Sequence, residues 1–482
     1  MYSPKTTEER ALDKAVNLKL DCVVLVVCAT NFFVQGIDKS NIGNAATTAT
    51  FESDAHLGPN DISDSVSLLA ITFVTLQPVS TALARRFGPK YWIPFLMVCW
   101  GAISMAHAGI HNRATLIALR LLLGAFEAGF VPSCFYYLST IYPHYMVGFR
   151  LGLFVGMFSI AGAFSGAIAY AIFHIKSNLK DWQLLFLIEG GVTIIMAVVS
   201  LAVLPERLSS AWFLNEKERV HAVYRMHVDN PNVDARGNFV ADKLEVSKEN
   251  ILDAVKDWRK LLVVVCNICS VLPASVFAVF LPLIVEGMGY EGQQANLMSV
   301  PPFVVGAFGV YLFTYLSDRH RERSLIIVLS MLLSTLGFIV LVATPSNPSA
   351  SENKLRYAFL HFCLAGAGAS GSLVAAWLID NTPDRAVRSV VIGINGWSNL
   401  AGVISGQLFR KQYAPGYRMP LGVTLAIVIV GMLGFVGVRM QFVKENGRRK
   451  REMATWDDER LDRELEDVGK RGDQKITFRY RY

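Results

Sequence analysis

The sequence predicts an all-α membrane protein with twelve transmembrane helices in two six-helix bundles. Three observations lead to this fold class. The 482 residues are 52% hydrophobic and only 18% charged, and their mean hydropathy is positive. The apolar residues are also concentrated in long stretches, and a helix that crosses a bilayer needs about 20 mainly apolar residues. This composition excludes both a disordered chain and an ordinary soluble protein.

Twelve stretches of the sequence are long and apolar enough to cross a bilayer. They are residues 21–46, 64–84, 91–110, 114–139, 151–174, 183–204, 261–284, 296–316, 324–344, 357–379, 389–409 and 419–440. A polar interval separates the first six from the last six. The predicted parts are thus a cytosolic N-terminal tail, a six-helix bundle, a cytosolic central loop, a second six-helix bundle and a cytosolic C-terminal tail, over 1–20, 21–204, 205–260, 261–440 and 441–482.

The polar parts of the chain carry helical patterns of their own. Charge spacing predicts short surface helices at 215–226 and 244–256 in the central loop. After Met440 the charges are mixed at helical spacing, which indicates a solvated helical tail, with a docking site for a partner as the alternative. Basic turns follow the second span of each half, at 85–90 and 317–323. Such equivalent turns are typical of a parallel internal repeat.

The distribution of Lys and Arg predicts the orientation of the chain. If both termini are cytosolic, 35 of the 46 basic residues lie in cytosolic segments and 8 in external loops. This asymmetry follows the positive-inside rule. The external cluster Arg410, Lys411 and Arg418 runs against the rule. The polar N-terminus has no small-residue cleavage site after the first span, so we expect a cytosolic tail and no signal peptide.

Two ionisable residues lie inside the fourth predicted span. Arg120 and Glu127 are seven residues apart, which places them on one face of a helix, two turns from each other. Ionisable groups within a membrane span usually face a polar cavity and mark a substrate or proton path. A desolvated carboxyl readily takes up a proton, whereas an arginine keeps its charge and attracts a carboxylate. The alternative is a locked ion pair that only fixes helix packing.

A second charged pair, Asp38 and Lys39, ends the first apolar run. The run from Cys22 to Ile37 has 16 residues, or about 24 Å of helix, which is shorter than the hydrocarbon core. The helix must therefore continue to Ala45, and this continuation places Asp38 and Lys39 inside the membrane region beside a wet cavity. The alternative is that Lys39 extends to the outer surface with Asp38 as its partner.

Three further polar residues in spans are candidate site residues. Glu189, in the sixth span, serves either proton coupling or structure. Asn395 and Asn399 are four residues apart on one helical face, and they either orient a polar group of the substrate or bridge two helices. Cys266 and Cys269 have metal-like spacing but no nearby Cys or His, so we interpret them as buried packing residues and expect no metal site.

The sequence gives no sign of an enzyme or of a nucleic-acid-binding protein. It has no HExxH, GxSxG or Walker A motif and no extended soluble domain, so we expect no catalytic residues and no cofactor. The basic residues are scattered over loops without interleaved aromatic residues, which argues against a nucleic-acid partner. Without an ATP site, transport would be secondary, driven by an ion gradient or by the gradient of the solute.

The chain resembles the major facilitator superfamily over nearly its whole length. Within it the motifs resemble the anion:cation symporter family, in particular the fungal allantoate and nicotinate permease-like branch. The motifs are Asp38-Lys39-Ser40-Asn41-Ile42-Gly43-Asn44-Ala45, Arg120-Leu-Leu-Leu-Gly124-Ala-Phe126-Glu127-Ala128-Gly129-Phe130-Val-Pro132, Phe186-x-x-Glu189-Gly190, Leu204-Pro205 and Ser299-Val-Pro301-Pro302.

The resemblance implies a rocker-switch transporter that imports organic anions with protons, usually across the plasma membrane. It assigns substrate binding and proton coupling to Asp38, Lys39, Arg120 and Glu127, and substrate contact to Asn395 or Asn399. The chain departs from the family at three positions. Lys39 stands where arginine is common, and it lacks the planar fork that grips a carboxylate. Arg85 replaces an acid of the superfamily loop motif, and Met146 replaces a glutamate four residues before Arg150.

These observations together predict a proton-coupled symporter of a small organic anion, a carboxylate of vitamin, ureide or aromatic-acid type. Lys39, Arg120, Asn395 and Asn399 would bind the substrate, and Asp38, Glu127 and Glu189 would carry the proton. The expected partners are the anion, the proton and the lipid bilayer, and the expected state is a monomer. Two alternatives remain: an exporter of an acidic secondary metabolite, and a transporter-like nutrient sensor.

Overall fold

A computed structural model describes residues 6–48, 50–229, 252, 256–290, 292–345, 349–383, 385–457, 459–460, 464 and 472–482. Every regular element in these ranges is a helix. Eleven of the helical stretches are long and apolar enough to cross a membrane. The predicted fold class, an all-α membrane protein, is confirmed.

The α-helices follow one another along the chain with short connections between most of them. They are α1 Thr7–Leu20, α2 Val26–Ala46, α3 Phe51–Asp54, α4 Asp61–Phe87, α5 Pro89–Ala106, α6 Arg113–Glu127, α7 Phe130–Ile141, α8 His144–Phe173, α9 Asp181–Val203, α10 Glu216–Asp229, α11 Trp258–Glu286, α12 Gln293–Met298, α13 Val300–His320, α14 Ser324–Ala343, α15 Ala350–Ala367, α16 Ala369–Asp380, α17 Arg385–Asn395, α18 Ala401–Leu408 and α19 Arg418–Met453.

The chain forms two compact units. The first contains Met1–Lys243 and Glu291–Val300, and the second contains Leu244–Tyr290 and Pro301–Tyr482. Each unit has its own apolar core, with Trp100 and Phe154 fully buried in the first and Trp377 buried in the second. The domain boundaries drawn from the sequence stay a prediction.

The first helical stretch begins before the apolar residues of the first span. Helix α1 is joined to α2 by a π-helical turn, Asp21–Leu25, so the helical stretch runs from Thr7 to Ala46. The continuation of α2 past Asp38 and Lys39 agrees with the argument from span length. The segment before the span is a capped helix, and Lys19 at its end forms a 2.7 Å salt bridge with Glu218 of α10. This helix was not predicted.

Two other predictions concern the eleventh span and the surface helices of the central loop. The predicted eleventh span, 389–409, is interrupted: a 3-10 turn at Gly396–Leu400 separates α17 from α18. The predicted surface helix at 215–226 corresponds to α10. The predicted helix at 244–256 lies largely outside the described residues.

Helices α5 and α9 approach each other closely because each has a glycine at the point of contact. A methyl group added to Gly190 would lie 2.6 Å from the carbonyl oxygen of Gly101, which is too close for any Cβ atom. Small residues at such a crossing permit direct backbone contact. The contact matters for the site because both helices donate hydrogen bonds to Asp38, as described below.

The last described segment, 472–482, packs against the second unit. The ring of Tyr480 stacks on Phe442 of α19 with centroids 4.5 Å apart, and it is only 6% exposed. The indole of Trp377 donates to the carbonyl oxygen of Arg481 at 2.8 Å. Lys260 of α11 forms a 2.6 Å salt bridge with Asp473. The prediction of a solvated helical tail is therefore wrong for this segment, because Tyr480 packs against Phe442 of α19 and Arg481 accepts from Trp377 of α16.

Replacing Tyr480 with alanine should destabilise the second unit. The substitution removes a buried ring and its stacking on Phe442, which we expect to cost about 3 kcal/mol of folding free energy. The measurement is the unfolding midpoint of the purified protein in detergent. Arg479→Ala, at an exposed neighbouring position, is the matched control and should leave the midpoint unchanged. Equal midpoints for Tyr480→Ala and wild type would contradict the described packing.

An ion pair outside the spans predicts a pH dependence of stability. Lys180 lies 2.6 Å from the Asp54 carboxylate, and Trp182 donates to the same group at 3.1 Å. The Lys180 ammonium therefore holds the pKa of Asp54 below its usual value of 3.8. A lowered folded-state pKa adds stability above the usual value, and this stability is lost as the pH falls through the lowered pKa.

Asp54→Asn should therefore lower the unfolding midpoint at neutral pH and have a diminishing effect as the pH falls below 3.8. Lys180→Gln should give the same pH profile, since it breaks the same pair. Thermal unfolding across this pH range tests both variants. A difference from wild type that stays constant with pH would mean that the ionised pair is not its source.

Candidate functional site

Asp38 is a fully buried carboxylate held by donors from two other helices. Its side chain is 0% exposed. The indole of Trp100 and the hydroxyl of Thr193 both donate to Oδ2, at 3.1 and 2.8 Å, and the hydroxyl of Ser104 donates to Oδ1 at 3.4 Å. Trp100 and Ser104 lie on α5 and Thr193 on α9. Three neutral donors therefore replace the water that a buried carboxylate loses.

Lys39 does not pair with its neighbour Asp38. Its ammonium lies over the ring of Phe73 at 4.4 Å and at 5.8 Å from the centroid of Phe158. The side chain is partly exposed. Within the described residues, no salt bridge joins Lys39 to an acid. The surface ion pair considered for Asp38 and Lys39 is therefore not what the structure shows, and phenyl rings stabilise the cation instead.

Arg120 and Glu127 lie on one helix, as their spacing predicts, but they do not form a salt bridge. Arg120 is 1% exposed, and one terminal nitrogen donates to the amide oxygen of Asn41 at 3.2 Å. Its Nε has no acceptor in the described structure. A locked Arg120–Glu127 pair is thus absent from the described residues.

Glu127 ends helix α6 and is completely buried. Neither of its carboxylate oxygens receives a hydrogen bond from a described residue. In the described residues, neither Lys39 nor Arg120 forms a salt bridge with this carboxyl. Glu127 is therefore a buried acid without a direct polar partner in the part of the chain that the structure describes.

Glu189 is a third buried acid in the first unit. It is 4% exposed, and neither carboxylate oxygen receives a hydrogen bond from the described residues. Asn41 lies beside this carboxyl. The backbone carbonyl of Glu189 accepts from the same Thr193 hydroxyl that donates to Asp38. Glu189 thus adjoins the Asp38 cluster, and Asn41 links it to Arg120.

The predicted asparagines belong to the second unit. Asn395 is 8% exposed, and its side-chain oxygen accepts from Asn267 of α11 at 2.9 Å. Asn399 is partly exposed and donates to the carbonyl oxygen of Gly396 in the 3-10 turn. The first asparagine therefore bridges two helices, which was one of the two predicted interpretations. The two asparagines do not share one regular α-helix, because Asn395 ends α17 and Asn399 lies in the 3-10 turn.

The two cysteines with metal-like spacing pack against helix α19. A methyl group on Gly431 would lie 2.6 Å from Cβ of Cys269, and one on Gly434 would lie 2.3 Å from the sulfur of Cys266. Both thiols are free. In the part of the chain that the structure describes, no group of three or more His, Cys, Asp or Glu is arranged to hold a metal ion.

Arg150 has an acidic partner despite the replacement of glutamate by Met146. Its guanidinium donates two hydrogen bonds to Asp21 of the π-helical turn, at 2.6 and 2.7 Å. A third goes to the backbone carbonyl of Met146 at 3.1 Å. The arginine also lies 4.5 Å from the ring centroid of Tyr142. Arg150 thus pairs with Asp21, which is distant in sequence, and not with a glutamate at position 146.

Several residues of this site were not predicted as site residues. Asn41 was part of a motif and stands three residues after Asp38, and Thr193 stands four residues after Glu189. Helical spacing from these two acids would therefore have indicated both residues. Trp100, Phe73 and Phe158 carry no comparable signal, because aromatic residues in an apolar span are expected in any membrane helix.

The family model described as Major Facilitator Superfamily matches residues 28–406. The chain belongs to the major facilitator superfamily. It is accordingly a multi-pass membrane transporter and not an enzyme. Superfamily membership and the fungal character of its relatives support the resemblance drawn from the motifs.

Relatives that match this transporter include fungal proteins of similar length. The MFS-type transporter efuF of Hormonema carpetanum is 33% identical over 92% of this chain and 88% of its own. The major facilitator-type transporter hxnP of Emericella nidulans is 32% identical over 91% of this chain and 88% of its own. The high-affinity nicotinic acid transporter of Saccharomyces cerevisiae is 28% identical over 91% and 80%, respectively.

Solved structures with the same fold include transporters of distant sequence. The crystal structure of a D-xylose-proton symporter matches with a TM-score of 0.65 and 12% identity, covering 86% of this chain and 96% of that one. A bacterial homologue of the human lysosomal transporter Spinster matches with a TM-score of 0.62 and 14% identity, covering 87% and 97%. At such low identity these likenesses support the fold alone.

Removing one donor from Asp38 should destabilise the first unit. Thr193→Val keeps the shape of the side chain but leaves the buried carboxylate with one hydrogen bond fewer, at an expected cost of about 1–3 kcal/mol. The matched variant Thr193→Ser retains the hydroxyl and should be close to wild type. Unfolding midpoints in detergent distinguish them. Equal destabilisation by both variants would assign the effect to packing and contradict the hydrogen bond.

Proposed function

We propose that this transporter carries a small organic anion together with a proton. The observation that carries the proposal is the set of charges in the first unit that lack an opposite charge in direct contact. Lys39 has only phenyl rings, Arg120 has an amide oxygen, and Glu127 has no hydrogen-bonding partner among the described residues. Groups left in this state can accept a ligand or a proton without first breaking an ion pair.

The cations are suited to the anion. Lys39 is partly exposed and is therefore accessible to a carboxylate. Arg120 is deeper and has an unpaired Nε, so a carboxylate near it would gain a charge-assisted hydrogen bond. Asn395 and Asn399 of the second unit are proposed to contact the polar part of the substrate.

The acids are suited to the proton. Glu127 is completely buried and receives no hydrogen bond from the described residues, so it is free to bind a proton. An anion bound in the same unit would bring a negative charge that a co-transported proton neutralises. This coupling makes binding of the anion and binding of the proton mutually favourable. Asp38 and Glu189 are proposed to take part in the same exchange.

The relatives are consistent with an anionic substrate. One of them is named a high-affinity nicotinic acid transporter, and its similarity extends over 91% of this chain. For this protein we propose only the chemical class of the substrate, a small monocarboxylate of vitamin, ureide or aromatic-acid type. We also propose residence in the plasma membrane, cytosolic termini and a monomeric state.

Glu127→Gln should abolish accumulation driven by a proton gradient. With one proton per anion, a gradient of one pH unit is worth about 1.4 kcal/mol and supports about tenfold accumulation. Wild type in proteoliposomes should reach this ratio with a radiolabelled acid such as nicotinate. The variant should equilibrate the acid without accumulating it, because glutamine cannot carry the proton.

Exchange of internal for external acid without a gradient is the control for Glu127→Gln. It should persist in the variant, since Lys39 and Arg120 are intact. Full gradient-driven accumulation by Glu127→Gln would overturn the proposed role of this residue. Absence of uptake or binding of every acid tested by wild type would overturn the proposed substrate class.

A further inference from the structure

Two asparagine side chains hold segment 472–482 in the second unit through its backbone. The side chain of Asn446 accepts from the amide of Tyr480 at 2.9 Å and donates to the carbonyl oxygen of the same residue at 2.8 Å. Asn381 binds the backbone of Arg481 in the same way, at 2.8 and 3.0 Å. Asn446 lies on α19 and Asn381 directly follows α16. Two consecutive residues of the segment are thus bound by two different helices.

A buried arginine of α19 also depends on this segment. The Arg449 side chain is only 6% exposed in the structure. Its guanidinium pairs with Glu445 at 2.8 Å. It also donates to three carbonyl oxygens of the segment, those of Asp473, Lys475 and Phe478, at 3.0, 2.9 and 2.9 Å. Hydrogen bonds from a charged donor are stronger than those between neutral groups, so this arginine is a principal contact of the segment.

The same segment reaches two further helices of the second unit. Asp473 forms a 2.6 Å salt bridge with Lys260, near the start of α11. The carbonyl oxygen of Tyr482 accepts from the amide of Arg323, directly before α14, at 2.8 Å. The ring of Tyr482 also lies 5.3 Å from the Arg439 guanidinium of α19. The segment therefore joins α11, α14, α16 and α19.

These contacts bury little of the segment itself. Of residues 473–482, only Tyr480 is buried, and its ring stacks on Phe442. The remaining contacts are mostly hydrogen bonds of partly exposed groups. A segment with one buried anchor belongs to the least stable part of a fold, and it can detach while the apolar core stays folded.

We infer that segment 472–482 is a releasable strap that restrains the helix ends it joins. A transporter rearranges its helices in every cycle, and such conformational steps often limit the rate of turnover. Contacts that join four helices oppose this movement, so release of the strap should raise the transport rate. A merely structural brace would behave differently, because breaking it would lower stability and transport together. This inference does not depend on the identity of the substrate.

The test releases the strap in the full-length transporter with Tyr480→Ala. This variant loses the buried anchor and keeps the docking groove, formed by Asn381, Phe442, Asn446 and Arg449. Hydrogen exchange of the Arg323 amide, which donates to the strap, should become about tenfold faster. The initial rate of uptake of a radiolabelled acid such as nicotinate into proteoliposomes should rise about threefold.

Two further variants accompany Tyr480→Ala. Asn446→Leu keeps the size of the side chain but cannot bind the backbone of the strap, so it should act in the same direction. It also serves as the releasing variant where Tyr480→Ala does not fold. Arg479→Ala, at an exposed position of the strap, is the matched control and should change neither the exchange of the Arg323 amide nor the rate of uptake.

A synthetic peptide of residues 472–482 tests whether the strap is exchangeable. Added to full-length Tyr480→Ala, it should occupy the intact docking groove, restore protection of the Arg323 amide and return uptake to the rate of wild type. A peptide carrying Arg479→Ala should act in the same way. A peptide carrying Tyr480→Ala should have no effect, because it lacks the anchor.

The outcomes separate the strap from the proposed function. Unchanged exchange of the Arg323 amide in both releasing variants overturns the strap, and a peptide that restores no protection shows that it is not releasable. Faster exchange with an equal or lower uptake rate leaves a structural brace and overturns the restraint. If wild type takes up no acid, the proposed function fails, and the exchange measurements alone decide on the strap.

Discussion

The packing of the first unit depends on the buried carboxylate of Asp38, which needs hydrogen-bond donors in place of water. A carboxylate moved from water into an apolar interior loses its hydration and persists only where other donors replace it. Trp100, Ser104 and Thr193 supply these donors from two other helices. Helices α2, α5 and α9 therefore meet at one point, and the glycine contact between α5 and α9 lets both donor helices reach it.

The other charged side chains of this unit have different contacts, and these differences matter for the proposed function. Lys39 has phenyl rings, Arg120 has one amide oxygen, and neither carboxylate oxygen of Glu127 has a hydrogen bond from the described residues. Asp38 thus has three hydrogen-bond donors, whereas Lys39, Arg120 and Glu127 form no closed salt bridge among the described residues. A protein that must bind a ligand and release it again needs groups of the second kind, because a closed salt bridge would compete with the ligand.

Local arguments predicted the positions of these charges but not their partners. Span length predicted that α2 continues through Asp38, and helical spacing placed Arg120 and Glu127 on one helix. Trp100 and Thr193, however, lie 62 and 155 residues from Asp38 in the sequence. Contacts of this kind arise from tertiary packing, which periodicity does not encode. The anchoring of segment 472–482 was missed for a similar reason: its partners lie on helices from elsewhere in the chain.

The hydrogen bond from Trp100 to Asp38 has a further consequence. This indole is completely buried, and its N–H points at the carboxylate. The light emitted by an indole depends on the charge beside its N–H, so a carboxylate that is neutralised or displaced changes the colour and intensity of that emission. In a variant whose other seven tryptophans are replaced, Trp100 would therefore be an optical reporter of this acid, without an attached dye.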